Sequence, residues 1–98
     1  DPLGRQASCK SRGAWTEVWA RDMADGTLAV GLFNRASLKM SVSAKWADLG
    51  LQGAQPVRDL WQQKDLGTVE QEFGAEVPGH GAMLLRIGKP KDSVSSPR

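Results

Sequence analysis

The stretch from Thr16 to Arg35, TEVWARDMADGTLAVGLFNR, constrains the fold more than any other part of the chain. It reads as two strands joined by a tight turn. In Thr16–Arg21, Val18 and Ala20 alternate with Glu17, Trp19 and Arg21, the two-residue period of a half-buried strand. In Thr27–Phe33, Leu28, Val30 and Leu32 take one face, and Ala29, Gly31 and Phe33 take the other. A strand apolar on both faces is expected at the centre of a sheet, covered on both sides. Between them lies Met23-Ala24-Asp25-Gly26, whose Asp-Gly step supplies the positive φ that hairpin connections need.

Further short strands extend this hairpin. Gln6–Ser11 is a polar candidate for the first, with only Ala7 and Cys9 suited to an inward face. Gly13-Ala14 and Arg35-Ala36-Ser37 read as turns. Met40–Trp46 alternates Met40, Val42, Ala44 and Trp46 against Ser41, Ser43 and Lys45, which predicts a half-exposed strand with its even residues inward. Ala47–Leu51 is too short for a stable helix and suits a single helical or 3₁₀ turn closed by Gly50. Gln52–Pro56 reads as a loop, and Val57–Trp61 as a strand. A turn is expected at Asp65-Leu66-Gly67, and one strand over Val69–Val77 with Glu70, Glu72 and Glu76 on its solvated face. After the loop Pro78-Gly79-His80-Gly81 comes a last strand, Ala82–Ile87. The pattern predicts an all-β domain, an antiparallel two-sheet β-sandwich of about eight strands with Greek-key connections. Residues 1–88 are expected to form that domain, and residues 89–98, rich in Lys, Pro and Ser, read as a flexible tail or linker.

Size and chemistry narrow the functions. A domain of 98 residues supports one modest core. The formal charge of +2 is spread along the chain with no basic stripe, which argues against nucleic acid as a partner. One cysteine, Cys9, excludes an internal disulfide and a Cys-based zinc site. No apolar run approaches the ~20 residues of a membrane span. No phosphate loop, cofactor motif or metal-ligand spacing is present, so no cofactor and no metal are expected. His80, alone of its kind, has no sequence signal for a partnered nucleophile, and the aspartates fall mainly at turns and strand ends. Asp59 is expected to pair with a neighbouring cation. The start, Asp1-Pro2-Leu3-Gly4, reads as an excised piece of a longer protein, which leaves the compartment open.

Four tryptophans and no tyrosine are an unusual aromatic set. Trp46 shares its face with Val42 and Ala44 and is expected in the core. Trp19, between Glu17 and Arg21, suits a partly exposed or interface position. Trp15 and Trp61 open and close strands. Trp15, Trp19 and Trp61 are therefore the candidate contacts, either for a sugar ring or for another domain.

Several motifs in sequence resemble the C-terminal β-domain of the α-galactosidases, the melibiase group of glycoside hydrolase family 27. They are Asp1-Pro2-Leu3-Gly4 with Gln6, Glu17-Val18-Trp19-Ala20-Arg21, Ala29 to Arg35, Trp46-Ala47-Asp48-Leu49-Gly50-Leu51 and Arg58-Asp59-Leu60-Trp61. Lys64-Asp65-Leu66-Gly67, Val77-Pro78-Gly79-His80-Gly81 and Leu84-Leu85-Arg86 continue them. The resemblance implies an eight-stranded sandwich docked on a (β/α)₈ catalytic barrel of the same parent chain. It implies that the nucleophile and acid/base aspartates lie upstream of Asp1, so that no catalytic residue carries over. The parent would be a retaining α-galactosidase, secreted, lysosomal or periplasmic, and this chain a non-catalytic accessory domain. A module binding α-galactoside carbohydrate through exposed tryptophans, and an unrelated interaction sandwich, are the competing readings.

Overall fold

The structure, a computed structural model, describes residues 7–89. The lead-in Asp1–Gly4 and all but the first residue of the expected tail lie outside that range. Eight strands and one helical turn follow in order: β1 (Ser8–Arg12), β2 (Thr16–Asp22), β3 (Leu28–Asn34), β4 (Met40–Lys45), α1 (Trp46–Leu49), β5 (Gln55–Asp59), β6 (Lys64–Val69), β7 (Glu72–Val77) and β8 (Ala82–Ile87). They form an antiparallel β-sandwich of a six-stranded sheet, β1-β2-β3-β8-β5-β6, and a two-stranded sheet, β4-β7. The chain leaves the large sheet after β3, and β8 later returns to lie between β3 and β5.

The alternation seen in the sequence places the core. Val18 and Ala20 of β2, Val30 and Leu32 of β3, and Leu85 and Ile87 of β8 point inward. Val42 and Ala44 of β4 and Val77 of β7 meet them from the second sheet, with Trp46 and Leu49 of α1 in the same cluster. Each buried Val, Leu or Ile contributes ~1.5–3 kcal/mol by leaving water and each alanine less than about 1, so this single cluster is the main source of stability. Gly50 closes α1 in the left-handed conformation, with its N–H bonded to the Trp46 carbonyl.

The hairpin at the centre forms as its residues dictate. Gly26 has φ of 90°. Asp25 accepts from both the Thr27 N–H (3.0 Å) and the Thr27 hydroxyl (2.6 Å). These bonds, the hydroxyl one first, hold the Asp25 carboxyl below the usual aspartate range. A folded pKa below the unfolded one adds stability that is complete above the ordinary value and fades as pH falls through the folded one. Asp25→Asn is therefore expected to flatten the fall in thermal midpoint between about pH 5 and pH 2.5, as read by circular dichroism.

Asn34, at the end of β3, ties the two sheets together. Its Nδ2 donates to the carbonyls of Leu38 (2.8 Å), Val77 (2.9 Å) and Pro78 (3.1 Å), while Oδ1 accepts from the Ala36 N–H (2.8 Å). The loop after β7 packs close to this knot. A Cβ on Gly79 would overlap the carbonyl oxygen of Ser37, which is backbone and cannot swing aside. Gly79→Ala is expected to cost ~2 kcal/mol in chemical denaturation, within the range for overpacked sites.

Four expectations need correction. The strand placed at Val57–Trp61 ends at Asp59, because Asp59 Oδ1 accepts the N–H groups of Trp61 and Gln62 (2.9 Å each) and turns the chain there. The turn expected at Asp65-Leu66-Gly67 is a bulge within β6. Val57 faces Gly67 and Arg58 faces Asp65, so Leu66 is the extra residue and Gly67 takes φ of 96°. Val69–Val77 is two strands, broken where Gln71 adopts φ of 72° and its carbonyl accepts the Trp46 N–H. Finally, the loop expected over Gln52–Pro56 ends before Gln55, because Gln55 and Pro56 already pair with Val69 and Thr68 of β6.

Candidate functional site

The two outer faces of the sandwich differ in chemistry. On the β4-β7 sheet, Ser41, Ser43 and Lys45 stand beside Glu72, Gly74 and Glu76, all exposed. That face is made for water. On the six-stranded sheet, strand register lines the outward residues up in rows. Glu17, Phe33 and Ala82 form one row, and Trp19, Gly31 and Leu84 the next. Arg21, Ala29, Arg86 and Arg58 form the third.

The first two rows make an apolar centre. Phe33 is 38% exposed, and Trp19, Ala82 and Leu84 are half-buried. Gly31 is buried although no second sheet of the described residues covers its face, because the Phe33 ring lies over it: an added Cβ would sit 2.6 Å from Phe33 Cε2. Trp19 is held along the strand by its indole N–H, which donates to Glu17 Oε1 at 2.8 Å. Glu17 Oε2 in turn meets Arg35 (3.1 Å) and Arg12 (3.4 Å). The Trp19 bond first, then the two guanidiniums, hold the Glu17 carboxyl below its usual range. The aromatic pair is thus fixed in place before any partner arrives.

The sequence candidates fall in two places. Trp15 is 56% and Trp61 64% exposed, at one end of the sandwich. They line neighbouring open grooves, Trp61 with Phe33 and Pro78, Trp15 with Leu38 and Met40, which share Arg35 and His80. Trp19 lines neither groove and stands on the sheet face. Trp46 is in the core, as its alternation predicts, with its indole N–H bonded to the Gly53 carbonyl (3.0 Å). Phe33 and Leu84 were not among the sequence candidates, because an apolar residue outside the core cannot be told from a core residue until both sheets are placed.

The acids are committed to structure. Asp59, 4% exposed, binds backbone N–H groups rather than the cation expected for it, and Arg58 pairs with Asp65 at 2.8 Å instead. Among the described residues no group of three or more His, Cys, Asp or Glu side chains is placed to hold a metal. No helix among them is long and apolar enough to cross a membrane.

Fold and surface together define the class: an antiparallel β-sandwich with one solvated outer face and one apolar, arginine-bearing face. The chain belongs to the family of α-galactosidase C-terminal β-sandwich domains, whose family model matches residues 13–87. It is 37% identical over 86 residues to an α-galactosidase of Cyamopsis tetragonoloba, covering 86% of this chain and 21% of that protein. It is also 37% identical over 95 residues to an isomalto-dextranase of Arthrobacter globiformis, covering 92% of this chain and 15% of that one. Among solved structures it is similar to a family 27 β-L-arabinopyranosidase of Geobacillus stearothermophilus. The TM-score there is 0.81 at 30% identity, over 86% of this chain and 20% of that chain. The chain thus spans about a fifth of the length of such relatives.

Proposed function

We propose that this chain is a non-catalytic accessory domain that packs on the catalytic (β/α)₈ barrel of its parent chain and stabilises it. The parent is read as a retaining α-galactosidase-like glycoside hydrolase. The observation that carries the docking role is the contrast between the outer faces. One is Ser, Lys and Glu with a single Gly, while the other centres on Phe33, Trp19 and Leu84. An apolar sheet centre ringed by charge has the composition of an interface. The relatives support the same reading. One kind of sandwich accompanies enzymes named for α-galactosides, β-L-arabinopyranosides and isomalto-dextran, so sugar choice is assigned to the rest of the parent.

Leu84→Lys in the full-length parent is expected to lower its thermal inactivation temperature by several degrees. Ser43→Lys on the solvated face is expected to leave it within a degree (roughly the scale of a 1 kcal/mol change in a large chain is 2–4 °C). Equal effects of the two substitutions would contradict the docking role. A second reading, a carbohydrate-binding module, rests on Trp15 and Trp61 flanking grooves that meet at Arg35 and His80. It is checked by titrating the 98-residue chain with galactose and melibiose. Indole shifts of Trp15 or Trp61 that saturate at millimolar sugar would favour it; for Trp19, on the sheet face, the docking role expects none.

A further inference from the structure

The third row of the outer face carries more than shape. Arg21, Arg86 and Arg58 come from three different strands, with only Ala29 between the first two, and all three project to the same side. Among the described residues only Arg58 is answered by a carboxylate, Asp65 at 2.8 Å, with the Gln63 carbonyl at 3.0 Å. Arg21 reaches only the Met23 sulfur, at 3.7 Å. Arg86 Nε is wholly buried and has no hydrogen-bond partner among the described residues. Asp25, at the hairpin turn, feels the charge of Arg86 without forming an ion pair with it.

A guanidinium held against a sheet with a buried, unanswered N–H is costly unless something supplies an acceptor. One such group, Arg86, beside an Arg21 guanidinium that meets only a weak sulfur acceptor among the described residues, calls for an acceptor that arrives together with apolar surface. The fork of N–H groups on arginine matches a carboxylate bidentately, and that pairing fixes orientation as well as contributing energy.

Building on the docking role proposed above, we infer that the Arg21–Arg86–Arg58 row is the orienting half of the interface. Its occupant is an acidic segment, Asp or Glu side chains beside apolar ones, on the catalytic domain of the same parent chain. The relatives run on for about four-fifths of their length beyond what this chain spans, which leaves room for such a domain. The apolar rows supply area without direction; the arginine row sets how the sandwich is turned on its partner. An anionic polysaccharide would match the charge, but it would leave the Phe33 and Trp19 centre open to water.

The test uses the full-length parent and reads the oxidation rate of Trp19 in hydroxyl-radical footprinting. In the unsubstituted parent Trp19 is expected to label at least threefold more slowly than in the 98-residue chain. Arg21→Glu/Arg86→Glu is expected to restore the faster rate and to split thermal unfolding into two calorimetric transitions. Arg21→Lys/Arg86→Lys, which keeps the charge and loses the fork, is expected to fall between. The same double substitutions in the 98-residue chain report whether the sandwich itself still folds. Should the glutamate pair fail there, Arg21→Gln/Arg86→Gln gives the same reading without the reversed charge. Protection of Trp19 that survives removal of the arginine charges would overturn this inference and leave the docking role standing. Equal labelling of Trp19 in the unsubstituted parent and in the 98-residue chain would overturn both. Binding of a polygalacturonate oligomer to the parent, with loss of binding in the arginine variants, would assign the row to an anionic glycan and also overturn it.

Discussion

Asn34→Ala is expected to destabilise the domain by ~3 kcal/mol in urea denaturation, roughly 15 °C in thermal midpoint for a domain of this size. The side chain is buried and meets four backbone groups at once, the carbonyls of Leu38, Val77 and Pro78 and the N–H of Ala36. Truncation leaves the buried Val77 carbonyl without a donor and the three part-buried groups without their partner, so most of the desolvation penalty falls at Val77. The link also joins β3 of one sheet to the end of β7 of the other, so its loss loosens the sandwich at one end. Asn34→Asp separates hydrogen bonding from packing. The shape is kept, but a carboxylate would face three carbonyl oxygens with nothing to donate. Burial among acceptors raises the pKa of the introduced carboxyl, so this variant is expected to lose at least as much stability at pH 7. It is expected to regain part of it as pH falls and the group takes up a proton that it can donate. A pH-independent loss equal to that of Asn34→Ala would assign the effect to packing alone.

Leu85→Ala is the second large effect, expected at ~3–4 kcal/mol by the same measurement. Leu85 is fully buried on β8, the strand that enters between β3 and β5, and it faces Val30 on one side and Asp59 on the other. Strands on both sides hold the backbone, so the cavity cannot collapse by moving β8. Met83, on the same strand and only half-buried, makes the control: Met83→Ala is expected to cost less than half as much. Similar losses at the two positions would contradict the placement of β8 at the centre of the large sheet.

The parts of this fold that follow local rules were legible in the sequence. Val18 and Ala20, the alternating triplet of β3 and the even residues of β4 point inward where their two-residue period places them. The Asp-Gly turn and the Gly50 cap form where the backbone needs positive φ. What was illegible depends on contacts between distant segments. Asp65-Leu66-Gly67 has turn chemistry, yet pairing with β5 makes it a bulge, because the Asp59 side chain, six residues before Asp65, has already turned the chain. Asn34 gives no sign in sequence of binding Val77 and Pro78, more than forty residues away. The candidate site shows the same division. Trp19 is half-exposed, as its place between Glu17 and Arg21 suggests, while Trp15 and Trp61 are exposed at strand ends where the sequence leaves Trp61 open. The row of Arg21, Arg86 and Arg58 exists only through register, since three strands far apart in sequence must align to build it.

Hydroxyl-radical footprinting of the full-length parent reads whether the outer face of the six-stranded sheet is covered there. Phe33 and Trp61 line the same groove, but only Phe33 extends onto the sheet face, so their labelling can be compared within a single chain. In the full-length parent, Phe33 is expected to lose most of the hydroxyl-radical labelling that it shows in the 98-residue chain, while Ser43-side peptides of β4 keep theirs. Unchanged labelling of Phe33 in the parent, with protection appearing on β4 and β7 instead, would contradict the account and move the docking surface to the opposite face.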